Sequence, residues 1–124
     1  MKLNQISCEK FEPKVYEKGW GYEKWIRNST YCGKILFFMA GKKCSWHYHN
    51  VKDEVFYVQR GVIEIKFSWQ DEISQASEIV LRVGDSFHVP QGLRHQMKAI
   101  EETELFEIST THIESDTIRI VKGD

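Results

Sequence analysis

The stretch Gly41–Gly61 reads GKKCSWHYHNVKDEVFYVQRG and carries most of the information about the fold. It places His47 and His49 one residue apart and follows them with Glu54. Residues two apart on an extended strand point to the same face, so both imidazoles can reach one ion from a single sheet. A helix would need ligands three or four residues apart. The stretch therefore predicts a β-strand that carries part of a metal site.

A second stretch, Gly84–His95, reads GDSFHVPQGLRH and adds another histidine after a Pro-x-Gly turn. Such a turn can aim the side chain of His95 inward. Three imidazoles and one carboxylate suit a divalent ion such as Zn, Fe, Mn, Ni or Co. We therefore expect one divalent metal ion to be held by four ligands: His47, His49, Glu54 and His95.

Together the two stretches resemble the two motifs of the cupins. The first cupin motif places Gly, His-x-His, Glu and Gly at the spacings found here, and the second places Gly, Pro-x-Gly and His. Ala99 departs from the pattern, at a position where cupins usually have Asn. The resemblance implies an all-β fold, a double-stranded β-helix or jelly-roll barrel, with the metal in the barrel mouth.

The strand pattern agrees with an all-β chain. Short segments rich in Val, Ile, Phe, Thr and Tyr alternate with Gly, Asn, Asp and Pro, and no window of about a dozen residues keeps a helical period. The predicted strands cover residues 34–40, 54–59, 62–69, 78–83, 86–89, 96–100, 104–110 and 117–121.

Length and composition predict one small domain without a nucleic-acid or membrane partner. A chain of 124 residues can bury one core, and its formal net charge of −1 gives no bulk attraction to nucleic acid. The longest apolar run, Ile35–Ala40, is too short to cross a bilayer. We expect a single domain at residues 18–124. We also expect residues 1–17 to form an N-terminal extension that packs on the barrel or on a partner subunit in a homodimer.

The cysteines predict a reducing compartment. Cys8, Cys32 and Cys44 are odd in number and lack CxxC spacing, which disfavours a disulfide framework. The N-terminal sequence has no apolar segment typical of a signal peptide. We therefore expect a cytoplasmic protein, with Cys44 as a small buried residue rather than a soft metal ligand.

Three further segments are similar to the isomerase domain of type II phosphomannose isomerases. Residues 18–23 read KGWGYE, residues 105–110 read LFEIST and residues 114–119 read ESDTIR, while Lys34 falls where those enzymes carry a lysine. The resemblance implies metal-dependent aldose–ketose isomerisation of a sugar or sugar phosphate. Trp20 and Trp25 would either contact the substrate, wrap the barrel or complete a dimer interface.

Isomerisation needs a proton-transfer base in addition to the metal. The reaction removes a proton next to a carbonyl and leaves negative charge on two adjacent oxygens, which a divalent ion can stabilise. We expect Glu107, and after it Lys34, to be the catalytic base, because both can face the barrel and neither is required by the metal. Arg94, Lys98 or Arg119 would bind a substrate phosphate or remain solvated at the surface.

Two other functions stay open, because this fold hosts many activities. An iron-dependent dioxygenase would use the imidazoles to activate O₂. Its apolar pocket, unless these side chains are core, would be lined by Trp46, Tyr48, Phe56, Tyr57 and Phe87. The other alternative is a non-catalytic, metal-stabilised module that binds a small molecule.

Overall fold

A computed structural model describes residues 8–124. The strands, in chain order, are β1 (Lys14–Lys18), β2 (Gly21–Asn28), β3 (Tyr31–Phe38), β4 (Trp46–His49), β5 (Glu54–Arg60), β6 (Val62–Ser68), β7 (Ser77–Arg82), β8 (Ser86–Val89), β9 (Arg94–Ala99), β10 (Thr103–Thr110) and β11 (Thr117–Val121). Two short 3₁₀ turns, Ile73–Gln75 and Glu114–Asp116, are the helical segments of the described chain. No helix within these residues is long and apolar enough to span a membrane.

The strands form two antiparallel sheets that face each other. The six-stranded sheet has the order β1-β2-β3-β10-β5-β8, and the five-stranded sheet has the order β11-β4-β9-β6-β7. Strands that are distant in sequence lie side by side, as in the pairing of β3 with β10 and of β4 with β11. This arrangement is the jelly-roll barrel predicted from the motifs, so the fold prediction is confirmed.

Alternation along the strands places apolar side chains between the two sheets. In β3, Leu36 and Phe38 are buried while Phe37 between them is partly exposed, and the same period of two recurs in β5 and β10. Phe56, Ile65 and Leu105 belong to this core and are at most 1% exposed. Charged residues share the inward face: Lys34, Glu54 and Glu107 are also buried. The barrel therefore has an apolar part and a charged part.

The glycines of the two motifs have a backbone requirement. Gly41, Gly61 and Gly84 have φ values of 82°, 95° and 92°, in the left-handed region that disfavours a side chain. At Gly61 a Cβ atom would also lie 2.2 Å from the carbonyl oxygen of Glu102. These residues shape turns and do not take part in the chemistry.

The N-terminal part of the described chain belongs to the barrel. Strand β1 pairs with β2 of the same chain along its full length, so the expected boundary after residue 17 falls inside β1. Residues 1–7 lie outside the described chain, and the packing of the extension on a partner stays a prediction. The sequence did not identify β1 or β2 as strands, because their mixed polar and aromatic residues lack a clear apolar alternation.

Candidate metal centre

Three of the four predicted metal ligands come together on neighbouring strands. His47 and His49 lie on β4, and His47 faces His95 of β9 in the antiparallel register. The donor atoms of the three histidines all lie within 4.8 Å of one another. The His-x-His spacing therefore places two imidazoles in the barrel, and the turn at Pro90–Gly92 brings in the third.

The Nδ1 atoms of the three rings contact backbone or side-chain oxygens. Nδ1 of His47 lies 2.9 Å from the carbonyl oxygen of Ser45, and Nδ1 of His95 lies 2.9 Å from that of Leu93. A carbonyl oxygen can only accept, so both Nδ1 atoms carry the proton and donate it. Their Nε2 atoms are then left with lone pairs, which is the tautomer that a metal requires.

Glu54 reaches the same point from the other sheet. Its Oε2 atom lies 3.3 Å from Nε2 of His49 and 3.4 Å from Nε2 of His95, and it is buried without a hydrogen-bond partner. A carboxylate oxygen that faces a nitrogen lone pair is repelled unless a cation lies between them. This buried oxygen without a partner, beside three imidazoles, shows that the residues fit a divalent metal ion.

The protonation states also suit a metal. Burial, followed by the charges of His95 and His49, lowers the pKa of His47 well below its ordinary value. Burial alone would raise the pKa of Glu54, but hydrogen bonds from His49 and His95 when Nε2 of either ring carries a proton in place of a metal, together with the ammonium of Lys52, outweigh it and hold this pKa well below the usual range. Neutral imidazole and ionised carboxylate are the forms that bind metal. The identity of the ion is open among Zn, Fe, Mn, Ni and Co.

Lys52 is a site residue that sequence analysis did not identify. It is 3% exposed, and its Nζ atom lies 2.7 Å from Oε2 of Glu107, 3.5 Å from Oε1 of Glu54 and 3.2 Å from Nδ1 of His112. Burial opposes the charged form, but the carboxylates of Glu107 and Glu54 outweigh it and raise the pKa of Lys52. The ammonium therefore stays charged and joins the metal site to Glu107.

The loop that carries Lys52 is fixed by Asp116. The Asp116 carboxylate accepts hydrogen bonds from the backbone N–H groups of Asn50, Val51 and Lys52, at distances of 2.9 to 3.2 Å. A carboxylate that accepts several backbone N–H bonds is a strong anchor. Nothing in the sequence spacing points to this contact, because Asp116 belongs to a distant segment.

His112, to which the sequence gave no role, forms part of the cavity wall. The side-chain amide of Asn28 donates a 3.0 Å hydrogen bond to the backbone carbonyl of His112 and accepts a 2.8 Å hydrogen bond from its backbone N–H. Because the Lys52 ammonium can only donate, Nδ1 of His112 accepts, and Nε2 carries the proton 3.2 Å from Glu114. Burial and the charges of Lys34 and Lys52 lower the pKa of His112, which favours this neutral form.

Glu107 lies on the cavity wall, with one carboxylate oxygen fixed. Its Oε2 atom contacts Lys52 and accepts a 3.0 Å hydrogen bond from the hydroxyl of Ser109. Among the described residues, no hydrogen bond uses its Oε1 atom, which is not enclosed by protein. Glu107 is 4% exposed and lines the cavity, so this second oxygen is available to a ligand.

Lys34 lies directly across from Glu107, since the two residues pair between β3 and β10. Its Nζ atom is 3.4 Å from Oε1 of Glu23 and 4.2 Å from the centre of the Trp25 ring. Glu23 also accepts a 2.9 Å hydrogen bond from the Trp25 indole. Burial works against ionisation of Glu23, but the charge of Lys34 and the indole hydrogen bond lower its pKa.

These side chains surround a cavity of about 490 Å³. Its inner apolar end is formed by Trp20, Leu36, Phe38, Phe56 and Met97. The wall beside the metal donors carries Glu23, Lys34, Lys52, Glu107 and His112. Exposed charged residues at the mouth are Lys18, Glu114, Arg119, Lys122 and Asp124. The cavity can hold a small molecule that has both polar and apolar parts.

The three cationic residues considered from the sequence as phosphate ligands do not lie together, and a further histidine, His88, is on the surface. Arg119 lines the cavity and forms a 2.9 Å ion pair with Glu114. Arg94 and Lys98 are not among the described residues that line this cavity; Arg94 lies over the Tyr48 ring, 3.7 Å from its centroid. His88 is on the surface, 2.6 Å from Asp53.

The aromatic residues near the motifs are mostly core or surface. Of the five, Phe56 alone is among the described residues that line the cavity, and Trp46 is fully buried outside it. Cys44 lines the cavity, but burial raises its pKa to about 12, against the opposing hydrogen bond from Met97 N–H. A thiol of this kind is a poor metal ligand at neutral pH.

Solved structures with the same fold include larger and smaller proteins. Oxalate decarboxylase from Bacillus subtilis is 19% identical, with a TM-score of 0.77, over 94% of this chain and 33% of that one. The capsular polysaccharide assembling protein CapF from Staphylococcus aureus is 14% identical, with a TM-score of 0.77, over 89% of this chain and 34% of that one. This chain thus spans about a third of the length of either protein.

KdgF from Halomonas sp. is closer in size. It is 19% identical, with a TM-score of 0.65, over 76% of this chain and 81% of that one. No curated protein sequence matches this chain. The family model of the cupin domain matches residues 35–123, which include both motifs and all three clustered histidines. The chain therefore belongs to the cupin family.

Proposed function

We propose that this cupin is a metal-dependent aldose–ketose isomerase that acts on a small sugar or sugar phosphate, with Glu54 as the fourth metal ligand. The observation that carries the proposal is Glu107. It is a buried carboxylate that the metal does not need, and it is linked to the metal donors through Lys52. The resemblance of residues 18–23, 105–110 and 114–119 to type II phosphomannose isomerases supports the same chemistry.

Glu107 is the proposed base. Its free Oε1 atom would take the proton from C2 of the aldose and return it to C1, which moves the carbonyl from C1 to C2. Lys52 and Ser109 would hold the other oxygen and so fix the direction of the carboxylate. A divalent ion, when bound, would polarise the carbonyl and stabilise negative charge on the two neighbouring substrate oxygens.

Lys34 has a separate role in this proposal. The reaction also moves a proton from the C2 hydroxyl to the C1 oxygen. Lys34 faces the cavity from the strand beside Glu107, and its ammonium can give one proton to the C1 oxygen and recover another from the C2 hydroxyl. Glu23 and Trp25 hold the ammonium in place. For a phosphorylated substrate, Arg119 at the cavity mouth is the proposed phosphate contact.

The test is exchange of the substrate's C2 hydrogen with solvent. The protein is loaded in turn with Zn, Fe, Mn, Ni or Co and incubated in D₂O with aldoses, ketoses and their phosphates, and NMR measures deuterium at C2. We expect exchange with at least one sugar. Glu107→Gln should abolish it and leave the metal content unchanged, because the carboxylate transfers a proton and binds no metal.

Glu104→Gln is the matched control. Glu104 lies on the same strand as Glu107 but faces outward, so this variant should exchange like the wild type. Equal loss in both variants would point to a damaged strand. Exchange that persists in Glu107→Gln would remove Glu107 as the base, and no exchange with any sugar or metal would reject the isomerase.

One observation favours the oxygenase as a second candidate. The apolar end of the cavity, where Trp20 stacks on Phe38 at 4.1 Å, could hold an apolar substrate beside the three histidines. Iron-loaded protein should then consume O₂ when given an aromatic or thiol substrate. If neither C2 exchange nor O₂ consumption occurs, the metal-stabilised binding module is the function that remains. A cytoplasmic location and a homodimer are predicted with each of these functions.

A further inference from the structure

Glu114, at the mouth of the cavity, contacts two different donors with its two carboxylate oxygens. Its Oε1 atom lies 2.9 Å from the guanidinium of Arg119, and its Oε2 atom lies 3.2 Å from Nε2 of His112. All three side chains line the cavity. The carboxylate therefore occupies a position at which a guanidinium and a ring N–H group converge on one anion.

His112 is held in place without help from Glu114. Asn28 forms hydrogen bonds with its backbone, and its ring packs edge-on against Trp25, with the ring centroids 5.2 Å apart. The His112 side chain is only 10% exposed. Its Nδ1 atom accepts a 3.2 Å hydrogen bond from the ammonium of Lys52, which strengthens the Nε2–H group as a donor. The ring therefore presents a fixed, polarised N–H group to the cavity mouth.

The Glu114 side chain, in contrast, is free to move. It is 65% exposed, and the 3₁₀ turn to which it belongs has no buried residue. The hydrogen bonds of Asp116 to the loop at residues 50–52 anchor this turn, so the Glu114 carboxylate can leave by rotation of its own side chain. Exposed ion pairs contribute little to stability. Another anion can therefore displace the carboxylate at low cost.

The two donors lie within reach of the predicted metal ligands. The ring centroids of His112 and His49 are 6.4 Å apart. Arg119 lies opposite His47 on the neighbouring strands β11 and β4. A small ligand whose reacting carbon lies beside the histidine cluster can therefore place an anionic group a few bonds away, where the Glu114 carboxylate now lies.

We propose that Glu114 is an internal substitute for an anionic group of the substrate, and that a phosphate or carboxylate displaces it and binds to His112 and Arg119. This inference rests on the proposed function and narrows it, because the isomerase substrate becomes a sugar phosphate or a sugar acid. An entering anion restores a counter-charge to Arg119, which a neutral sugar cannot do. The competing carboxylate thus selects against neutral sugars.

The test is the affinity of the full chain for inorganic phosphate and for acetate, with and without bound zinc. NMR follows the ring signals of His112, which are identified by their absence in His112→Gln. Glu114→Gln removes the competing charge at nearly constant size and should tighten binding about tenfold, whereas Arg119→Met should weaken it about tenfold or more, since a charge-assisted contact is lost. Tighter binding of phosphate would assign a phosphate ester, and tighter binding of acetate a sugar acid.

Glu101→Gln and Arg82→Met are the matched controls. Both residues are exposed and are not among the described residues that line the cavity, and each change alters the net charge like its counterpart. Both controls should bind the anions like the wild type. Unchanged affinity in Glu114→Gln or Arg119→Met would overturn the proposal. Equal changes in the controls, or no binding of either anion to the wild type and Glu114→Gln, would do the same.

These measurements separate the subsite from the isomerase. Anion binding that responds to the two variants as expected, without C2 exchange of any sugar, would support the subsite and reject the isomerase alone. C2 exchange in a protein whose anion binding ignores both variants would reject the subsite alone.

Discussion

The ammonium of Lys52 lies 2.7 Å from the carboxylate of Glu107, and both groups are almost fully buried. The same ammonium is 3.5 Å from Glu54, so one positive charge serves two carboxylates. A buried ion pair of this kind contributes little net stability by itself, but loss of one partner leaves a buried charge without compensation. Lys52 therefore supplies the positive charge that compensates both buried carboxylates in the charged half of the cavity.

The first prediction concerns this residue. Lys52→Met in the metal-free protein should lower the free energy of unfolding by about 3–5 kcal/mol, because Glu54 and Glu107 are left unpaired. Urea denaturation followed by fluorescence measures the change. Lys98→Met, at an exposed position, should change it little. The addition of Glu107→Gln to Lys52→Met should cost less than in the wild-type background, and strict additivity would show that the pair is not coupled.

The second prediction concerns metal binding. His47→Ala or His95→Ala should reduce bound metal sharply, and the double variant should retain essentially none, because the remaining donors hold a labile ion poorly. Elemental analysis of protein dialysed against a weak chelator gives the metal content. His88→Ala, on the outer surface beside Asp53, should bind metal like the wild type. Full occupancy in the double variant would place the metal elsewhere.

The third prediction concerns pH. The pKa of His47 is lower in the folded protein than in the unfolded chain. Below about pH 6.5 the imidazole is therefore protonated in the unfolded chain while it is still neutral in the folded protein. The stability from this histidine is present above that pH and is lost as the pH falls. His112 acts in the same direction. Thermal melting of the metal-free protein between pH 8 and pH 5 should show a decline that is shallower in His47→Gln, and an unchanged slope would contradict it.

The fourth prediction concerns the cysteines. Burial raises the pKa of Cys44 to about 12, and burial together with Glu107 raises the pKa of Cys32, so both thiols stay protonated. Iodoacetamide at mildly alkaline pH should label exposed Cys8 in the native protein and all three cysteines after denaturation. Peptide mass spectrometry distinguishes the sites. Rapid native labelling of Cys44 would show that the cavity is more open than described.

The sequence predicted the parts of the site that depend on local spacing. Alternation on one strand brings His47 and His49 together, and a short turn directs His95, so both features can be inferred from neighbouring residues. The apolar strands β5 to β11 were found for the same reason. Strands β1 and β2 were missed because their residues lack apolar alternation, although β1 supplies Tyr16 and β2 supplies Glu23 and Trp25 to the cavity.

The contacts that could not be predicted join segments far apart in the chain. Lys52 meets Glu107 because β5 pairs with β10, and Asp116 meets the loop at residues 50–52 because β11 lies beside β4. Each of these residues alone is an ordinary charged residue. The side chain or backbone group that it contacts depends on the register of two paired strands. A single sequence does not specify that register until the whole barrel is arranged.

The pairing of β11 with β4 has a consequence for biosynthesis. Thr117 lies opposite His49 and Arg119 opposite His47, so the strand that carries two of the histidines is completed by residues that are made well after it. Asp116, which fixes the loop before Glu54, is likewise made later than that loop. During synthesis the two histidines of β4 therefore remain without their neighbouring strand until β11 has left the ribosome. The metal site can be assembled only after the core strands between β4 and β11 have been made.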